Sequence, residues 1–240
     1  MFGGLGYAGD GWSLGGFIGY LDGRQRLDGR SAETELDGTV FGVHGRATSG
    51  ALGLTAMVAY AATEADTRRA LPGGSARGTY DLTGLTLDVA ATYEIAIGSD
   101  WALRPRIGGT VIRIDRDAVA ETGPTAFAAQ VARDRDTAAF VDGALTIAGG
   151  MTPGATVRPY ATLGLRYQAA GRDAQALTGF GGGGLGLIVG GAERARVLGT
   201  ATLGVEADLA PDVTLLSALA AERGEDDRRE SARIGLRVHF

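Results

Sequence analysis

Apolar residues alternate with small or polar residues along most of the chain, and this period of two is typical of β-strands with two different faces. The pattern is clearest in the stretches 51–63, 79–97 and 196–209. Shorter or weaker alternation predicts strands at 3–9, 12–21, 38–47, 101–114, 138–149, 155–168, 212–223 and 233–240. We therefore expect an all-β protein with about 11 strands.

Signals for helices are nearly missing. The best helical candidate, 118–132, contains Gly123-Pro124 and is interpreted as a loop. The longest apolar runs, such as 215–221, are far shorter than the roughly 20 residues of a membrane-spanning helix. This excludes a helical membrane protein, whereas a membrane β-barrel remains compatible with a mean hydropathy of +0.05.

The connections between the predicted strands alternate in length. Short connections are expected near 8–11, 47–51, 98–101, 149–155 and 210–212. Long polar connections are expected at 21–36, 64–78, 115–136 and 169–195, with a shorter one at 224–230. Short turns at one end and long loops at the other are typical of an outer-membrane barrel. The pattern therefore predicts a transmembrane, antiparallel, up-and-down β-barrel.

The charged residues within the predicted strands occupy the same alternate positions as the small and polar residues. An Arg facing lipid near the midplane costs about 2–4 kcal/mol, so these residues are expected to face the barrel interior. The acids are expected to pair with arginines of neighbouring strands. The predicted interior charges are Asp88, Glu94, Arg104, Arg106, Asp142, Arg158, Arg166, Glu206, Asp208 and Arg237.

Aromatic residues with the parity of the apolar face cluster at the ends of the strands. Such rings at both boundaries of an apolar band are typical of a bilayer environment. We expect Trp12, Tyr93 and Trp101 in the girdle near the short turns. Tyr20, Tyr60 and Tyr167 are expected in the girdle near the long loops.

Composition removes several classes of function. The chain has no Cys, which excludes disulfide frameworks and thiol chemistry, and its two His lie 195 residues apart, at 44 and 239. We therefore expect no metal site, no cofactor and no enzymatic activity. The net charge of −5 argues against nucleic-acid binding. The first residues lack the features of a signal peptide.

Several sequence segments together resemble the autotransporter translocator domain, the C-terminal barrel of type V secretion systems. They are the glycine-rich opening GYAGDGWSLGGFIGY at 6–20, LRPRIGG at 103–109, VRPYATLGLRY at 157–167, RVLGTATLGVE at 196–206 and the ending GLRVHF at 235–240. The resemblance spans essentially the whole chain, although each motif alone is loose.

This resemblance implies an outer-membrane barrel of a Gram-negative bacterium that allows export of an N-terminal passenger polypeptide. Family barrels have twelve strands, a helix in the pore and a passenger upstream. We therefore interpret residues 1–240 as a single domain of the twelve-stranded type, from which the first strand, the pore helix and the passenger are missing. The implied partners are outer-membrane lipid, the β-barrel assembly machinery and the passenger.

The end of the chain carries a further candidate signal. Four alternate positions of the last predicted strand are apolar and are expected to face outward: Ile234, Leu236, Val238 and Phe240. These residues also resemble the C-terminal signature read by the assembly machinery, and the resemblance implies recognition through strand addition to an exposed edge.

Two other functions stay open at this point. A stand-alone porin-like channel or surface protein would carry a signal peptide directly before the first strand, and a barrel hydrolase would bring His and acids together at the extracellular rim. The matches to a nucleophile elbow at 11–15 and to a dinucleotide motif at 179–184 lack the helix that each requires. Four acids are expected to be solvated loop residues: Asp115, Asp117, Asp134 and Asp136.

Overall fold

The chain folds entirely into β-structure in the part that the structure describes. This structure, a computed structural model, describes residues 2–27, 31–123, 127–172, 175–180, 184–191, 195–225 and 228–238. In chain order the strands are β1 (Phe2–Gly9), β2 (Trp12–Leu27), β3 (Ala32–Ser49), β4 (Leu52–Leu71), β5 (Gly74–Tyr93), β6 (Ile95–Ile97), β7 (Trp101–Arg116), β8 (Val119–Ala120), β9 (Ala129–Val131), β10 (Asp134–Gly149), β11 (Val157–Ala170), β12 (Gln175–Phe180), β13 (Leu187–Gly190), β14 (Val197–Ala210), β15 (Val213–Arg223) and β16 (Arg228–Val238). Over these ranges we find no helix with the length and apolarity needed to cross a bilayer.

The long strands form one curved antiparallel sheet, which we call the wall. Its order is β1-β2-β3-β4-β5-β7-β10-β11-β14-β15-β16, so each long strand pairs with the next one along the chain. β6 continues β5 beyond Glu94, because Thr92 pairs with Arg106 and Ile95 with Leu103 in one register. The predicted all-β, up-and-down topology is confirmed, and β1 and β16 are the two ends of the hydrogen-bonded path.

The two faces of the wall carry different residues, as a period of two requires. On the outer face, Leu163 and Leu203 are 70% and 63% exposed. On the inner face, their chain neighbours Thr162 and Thr202 lie opposite each other in the register of β11 and β14. The apolar residues that the structure describes as buried are Ala and Val, and none of the large side chains is fully buried. The large apolar residues therefore cover an exposed face, which suits hydrocarbon and not water.

Two of the predicted long loops are in fact extended hairpins. β2 and β3 approach each other as far as Leu27 and Ala32, and β4 and β5 leave only Pro72 and Gly73 between them. Gly73 has φ of 86°, a conformation that glycine adopts without strain. The prediction of loops at 21–36 and 64–78 was wrong because apolar alternation ends at the boundary of the apolar band. Backbone pairing continues beyond it, with polar side chains on both faces.

The remaining long connections contribute a second, small sheet, which we call the mouth sheet. It has the order β13-β12-β9-β8. Thr178 on β12 pairs with Leu187 on β13 in the same loop and with Val131 on β9 in the other, so the sheet combines two loops that are distant in sequence. An isolated bridge between Arg77 and Thr122 connects it to β5. The stretches 115–136 and 169–195 are therefore partly strand, a correction to their prediction as loops.

Candidate functional site on the inner face of the wall

The candidate site is the inner face of the wall, which we call the lumen face. Alternation along each strand places small residues and charged residues there together. Arg106 on β7 is at its centre: it forms an ion pair with Asp142 on β10, and its Nη2 lies 3.7 Å from Oδ1 of Asp88 on β5. The Thr110 hydroxyl donates to Asp88 Oδ2 at 2.6 Å. One arginine thus connects three neighbouring strands.

A second cluster lies nearer the short turns, on β11, β14, β15 and β16. Arg158 donates from Nη1 and Nη2 to the two carboxylate oxygens of Asp208 at 2.7 and 2.6 Å, a bidentate arrangement. The Thr214 hydroxyl donates to the same carboxylate at 2.9 Å. Glu206 lies 3.9 Å from both Arg158 and Arg237. The cluster therefore links the last strand to its neighbours through side chains as well as through the backbone.

Two further ion pairs complete the set. Arg104 donates to Glu94 at 2.7 Å, next to the interruption between β5 and β6. Arg166 Nη1 lies 3.5 Å from Glu222 Oε1, two strands away. Glu222 was absent from the residues singled out by sequence, although its parity matches that of Ala218 and Ala220 on β15. All ten predicted interior charges lie on the lumen face with an oppositely charged neighbour.

These ion pairs are only partly shielded from water. Side-chain exposure ranges from 12% for Asp142 to 50% for Arg237. Pairs of this kind contribute little stability individually, at most about 1 kcal/mol. The main chemical consequence of these ion pairs is a hydrated lumen face on which most of the described charges have an oppositely charged partner. Paired charges of this kind offer a polypeptide no strong net charge to adhere to.

The lumen face also has an apolar patch that the sequence pattern did not predict. In the half toward the long loops, Ile112, Phe140 and Leu198 share the parity of the charged residues and line a cavity of about 720 Å³. The Arg166 guanidinium lies 5.9 Å from the centre of the Phe140 ring. Here the interior is amphipathic, in contrast to the polar half near the short turns.

Besides the bridge between Arg77 and Thr122, an ion pair joins the mouth sheet to the inner rim of the wall. Arg69, at the inner face of β4, donates to both carboxylate oxygens of Glu121 at 2.6–3.1 Å and to the carbonyl of Phe127 at 2.8 Å. The Ala129 amide also donates to Glu121 at 2.8 Å. The Arg69 guanidinium lies 5.9 Å from the Phe180 ring centre. Arg69 therefore contacts both loops that form the mouth sheet.

The ionisation of Glu121 follows from these contacts. Its side chain is 9% exposed, and this burial opposes ionisation. The hydrogen bonds from Arg69 and from the Ala129 amide outweigh the burial, so the pKa of Glu121 lies below its ordinary value. No signal in the sequence connects Arg69 with a residue 52 positions away.

Comparison with known proteins identifies the family. The model of the Autotransporter beta-domain family matches residues 1–217, most of the chain. The chain belongs to the autotransporter β-domain family. Among curated proteins, no sequence matches significantly.

Solved structures of autotransporter barrels have the same fold. The translocator domain of NalP from Neisseria meningitidis is 16% identical, with a TM-score of 0.81 over 100% of this chain and 79% of that one. The β-domain of Bordetella BrkA is 18% identical, with a TM-score of 0.73 over 99% and 88% of the two chains. The transport unit of AIDA-I from Escherichia coli is 15% identical, with a TM-score of 0.71 over 100% and 80%.

Family membership establishes what kind of protein this is. Autotransporter β-domains are outer-membrane barrels of Gram-negative bacteria that serve the secretion of a passenger domain. The translocator function is thus favoured over the porin-like alternative. The paired charges of the lumen face described above are the candidate functional residues of this translocator.

The aromatic residues of this autotransporter barrel lie on its outer face. Trp12, Tyr93 and Trp101 are 48%, 52% and 42% exposed beside the short turns. Toward the long loops, the Tyr20 hydroxyl donates to Asp37 at 2.7 Å. Arg196 donates to the Tyr167 hydroxyl at 2.7 and 3.1 Å. Tyr60 packs against Phe41, with ring centres 5.4 Å apart. Tyr20 and Tyr167 thus have a polar partner, Trp12, Tyr93 and Trp101 lie at strand ends, and Tyr60 lies in the middle of β4 against another aromatic ring.

The candidate assembly residues are on β16, an end strand of the wall. Ile234, Leu236 and Val238 point outward and are 83%, 65% and 55% exposed. Phe240 and His239 lie outside the described residues. In the described part of the wall, β16 and β1 are the two strands with an edge open to strand addition.

The motifs set aside by sequence have structural explanations. Ser13 lies on β2 at the lumen face, paired with Arg46, in a strand and not in a strand–turn–helix. Two of the loop acids are in ion pairs: Asp115 with Arg113 and Arg135, and Asp117 with Arg133. Their side chains are still 35% and 49% exposed, so solvation of these acids is not contradicted. Their prediction as loop residues was wrong for Asp115 on β7 and for Asp134 and Asp136 on β10. Within the described ranges, no group of three His or acidic residues is placed to bind a metal.

Proposed function

We propose that residues 1–240 act as one non-enzymatic unit and that the passenger crosses the membrane along the lumen face in an unfolded state. The observation that carries this proposal is the lumen face itself, with small residues between mutually paired charges. A barrel of this strand number is intermediate between packed eight-stranded barrels and open porins. It accommodates an extended hairpin but not a folded domain.

The apolar patch near the long loops supports the same proposal. A passing chain carries apolar as well as polar side chains, and Ile112, Phe140 and Leu198 offer it a weak, exchangeable apolar contact. Because the ion pairs nearer the short turns satisfy one another, they present no unpaired charge that would retain the chain. Transit then requires no change in the wall.

We further propose that the assembly machinery recognises β16. This strand ends the hydrogen-bonded path, and its outward residues Ile234, Leu236 and Val238 are among the most exposed of the wall. An edge strand has unpaired backbone groups available for a partner strand. Outer-membrane lipid is the proposed partner of the remaining apolar band.

The test for passage compares bulky residues on the two faces of the same strands. In the full protein with its passenger, Thr55→Trp, Thr162→Trp and Thr200→Trp are combined on the lumen face. The control combines Ala56→Trp, Ala161→Trp and Ala201→Trp on the outer face. Surface passenger is measured by protease accessibility on intact cells, and barrel assembly by heat-modifiable migration.

The lumen variant is expected to assemble but to export at least about tenfold less passenger, because indole rings narrow the path. The outer-face control is expected to export normally. Normal export by an assembled lumen variant would contradict passage along this face.

A further inference from the structure

The outer face of the wall has a boundary at which its apolar band gives way to charged residues, on the side of the long loops. On four adjacent strands, β2 to β5, the first outward charges beyond the band are all acidic. They are Asp22, Asp37, Glu64 and Asp81, and the register places them directly opposite one another: Asp22 with Asp37, Asp37 with Glu64, and Glu64 with Asp81. We call these four residues the acidic arc.

The other half of the same boundary is mainly basic. The first outward charges are Arg113 on β7, Arg135 on β10 and Arg223 on β15. On β16 the first outward charge is Glu230, and Arg228 follows it, directly opposite Arg223 in the register. Arg196 extends to the outer side of β11, where its guanidinium lies 5.3 Å from the Tyr167 ring centre. We call these five arginines the basic arc.

The basic arc keeps a net positive charge after its internal ion pairs are counted. Asp115 pairs with Arg113 and Arg135, and Glu230 pairs with Arg228. Two carboxylates therefore face five guanidinium groups. The side chains of Arg135 and Arg228 are 63% and 75% exposed, so they are accessible to a ligand beside the barrel.

The position of these arginines defines the chemistry of a partner. Like charges directly opposite each other on a sheet destabilise it, and an anion between Arg223 and Arg228 removes that repulsion. Guanidinium groups bind phosphate oxygens in a bidentate manner. A residue just beyond an apolar band lies at the depth of lipid headgroups. The long loops of an outer-membrane barrel are extracellular, so this boundary meets the outer leaflet.

We propose that the basic arc binds the phosphate groups of the glycolipid that forms the outer leaflet, and that the acidic arc disfavours the same lipid. The barrel then carries phosphorylated glycolipid preferentially along β7 to β16, the half that includes its last strand. The spread of the arginines over several strands suits a headgroup with more than one phosphate. The proposal is independent of passenger transport, since it concerns the opposite face of the wall.

The test measures lipid binding to the refolded chain in detergent micelles by native mass spectrometry. The probes are bis-phosphorylated lipid A, the same lipid A without phosphates, and phosphatidylglycerol. The first is expected to bind at least about tenfold more tightly than the other two. Combining Arg196→Gln, Arg223→Gln and Arg228→Gln is expected to weaken its binding about tenfold or more, because each Arg contributes to attraction by an anionic surface.

The matched control removes three outward arginines from the acidic half of the same rim: Arg24→Gln, Arg26→Gln and Arg68→Gln. Its binding is expected to stay within about twofold of the unsubstituted chain. Equal loss in both variants would show non-specific charge attraction and overturn the proposal, as would tight binding of dephosphorylated lipid A. Binding of phosphatidylglycerol as tight as that of bis-phosphorylated lipid A would overturn the assignment to glycolipid.

A second measurement covers the case in which the arginine variant does not fold. In the unsubstituted chain, raising NaCl from 50 to 500 mM is expected to weaken binding of bis-phosphorylated lipid A at least fivefold. Asp37→Asn combined with Glu64→Gln is expected to increase the number of lipids bound. A salt-independent affinity, or no gain in lipid number, would contradict the division of the rim into two arcs.

Discussion

The wall and the mouth sheet are both antiparallel β-structure, but different interactions stabilise them. Strands of the wall reach 20 residues and pair with their neighbours along the chain. Strands of the mouth sheet have 2–6 residues and come from two separate loops. The Arg69–Glu121 ion pair and the Arg77–Thr122 bridge connect the mouth sheet to the wall. The wall strands are joined by long backbone ladders, and those from β5 onward also by ion pairs on the lumen face.

The difference follows from the solvent of each part. In a bilayer, an unpaired backbone group costs several kcal/mol, so the wall must pair along its whole membrane-spanning length. The mouth sheet lies beyond the apolar band, where water satisfies any group that a loop leaves free. We therefore expect its few short strands to open at a lower free-energy cost than the strands of the wall. The three predictions that follow test this division, from the largest expected effect to the smallest.

The wall should be sensitive to the face on which a charge is placed. Leu203→Arg puts a guanidinium on the outer face of β14, at a position 63% exposed. We expect it to lower the free energy of unfolding in lipid vesicles by about 2–4 kcal/mol. Thr202→Arg, on the lumen face of the same strand, should cost less than about 1 kcal/mol. Urea titrations of the refolded barrel measure both, and equal costs would contradict the assignment of faces.

The mouth sheet should detach without affecting the wall. Glu121→Gln leaves Arg69 without its charged partner, which removes charge-assisted hydrogen bonds worth about 2 kcal/mol in this partly buried setting. Amide exchange at Ala129 and Val131 should then become about 30-fold faster. Amides in the middle of β4 should exchange at an unchanged rate. Parallel acceleration in β4 would show that the two sheets open together.

Protonation of Glu121 should have the same effect in a milder form. The pKa of the docked carboxyl is below its ordinary value of 4.5, because Arg69 and the Ala129 amide outweigh its burial. The stabilisation is therefore fully present above about pH 5 and is lost as the pH falls through the lowered pKa. Protection of the mouth-sheet amides should decline below that pH. In the Glu121→Gln variant it should not depend on pH over this range, and a matching decline there would implicate another acid.

The wall could be predicted closely because its environment acts on each residue in the same way. Lipid on one side and water on the other impose a period of two, so the parity of Arg106, Asp142 and Asp208 sufficed to place them inside. The same logic failed for Ile112 and Phe140, which have lumen parity but are apolar. It also failed at 64–78, where β4 and β5 continue into water without an apolar face to mark them.

The membrane-spanning strands, their consecutive pairing and the face on which the ten predicted interior charges lie could be read from the sequence. All of these follow from local alternation and short connections between neighbouring strands. The fold was needed to show which arginine meets which acid, that Thr178 pairs with Val131, and that Arg69 binds Glu121. Those contacts join segments that are far apart in the chain, and their register depends on how the whole sheet curves. A periodic pattern carries no information about that geometry.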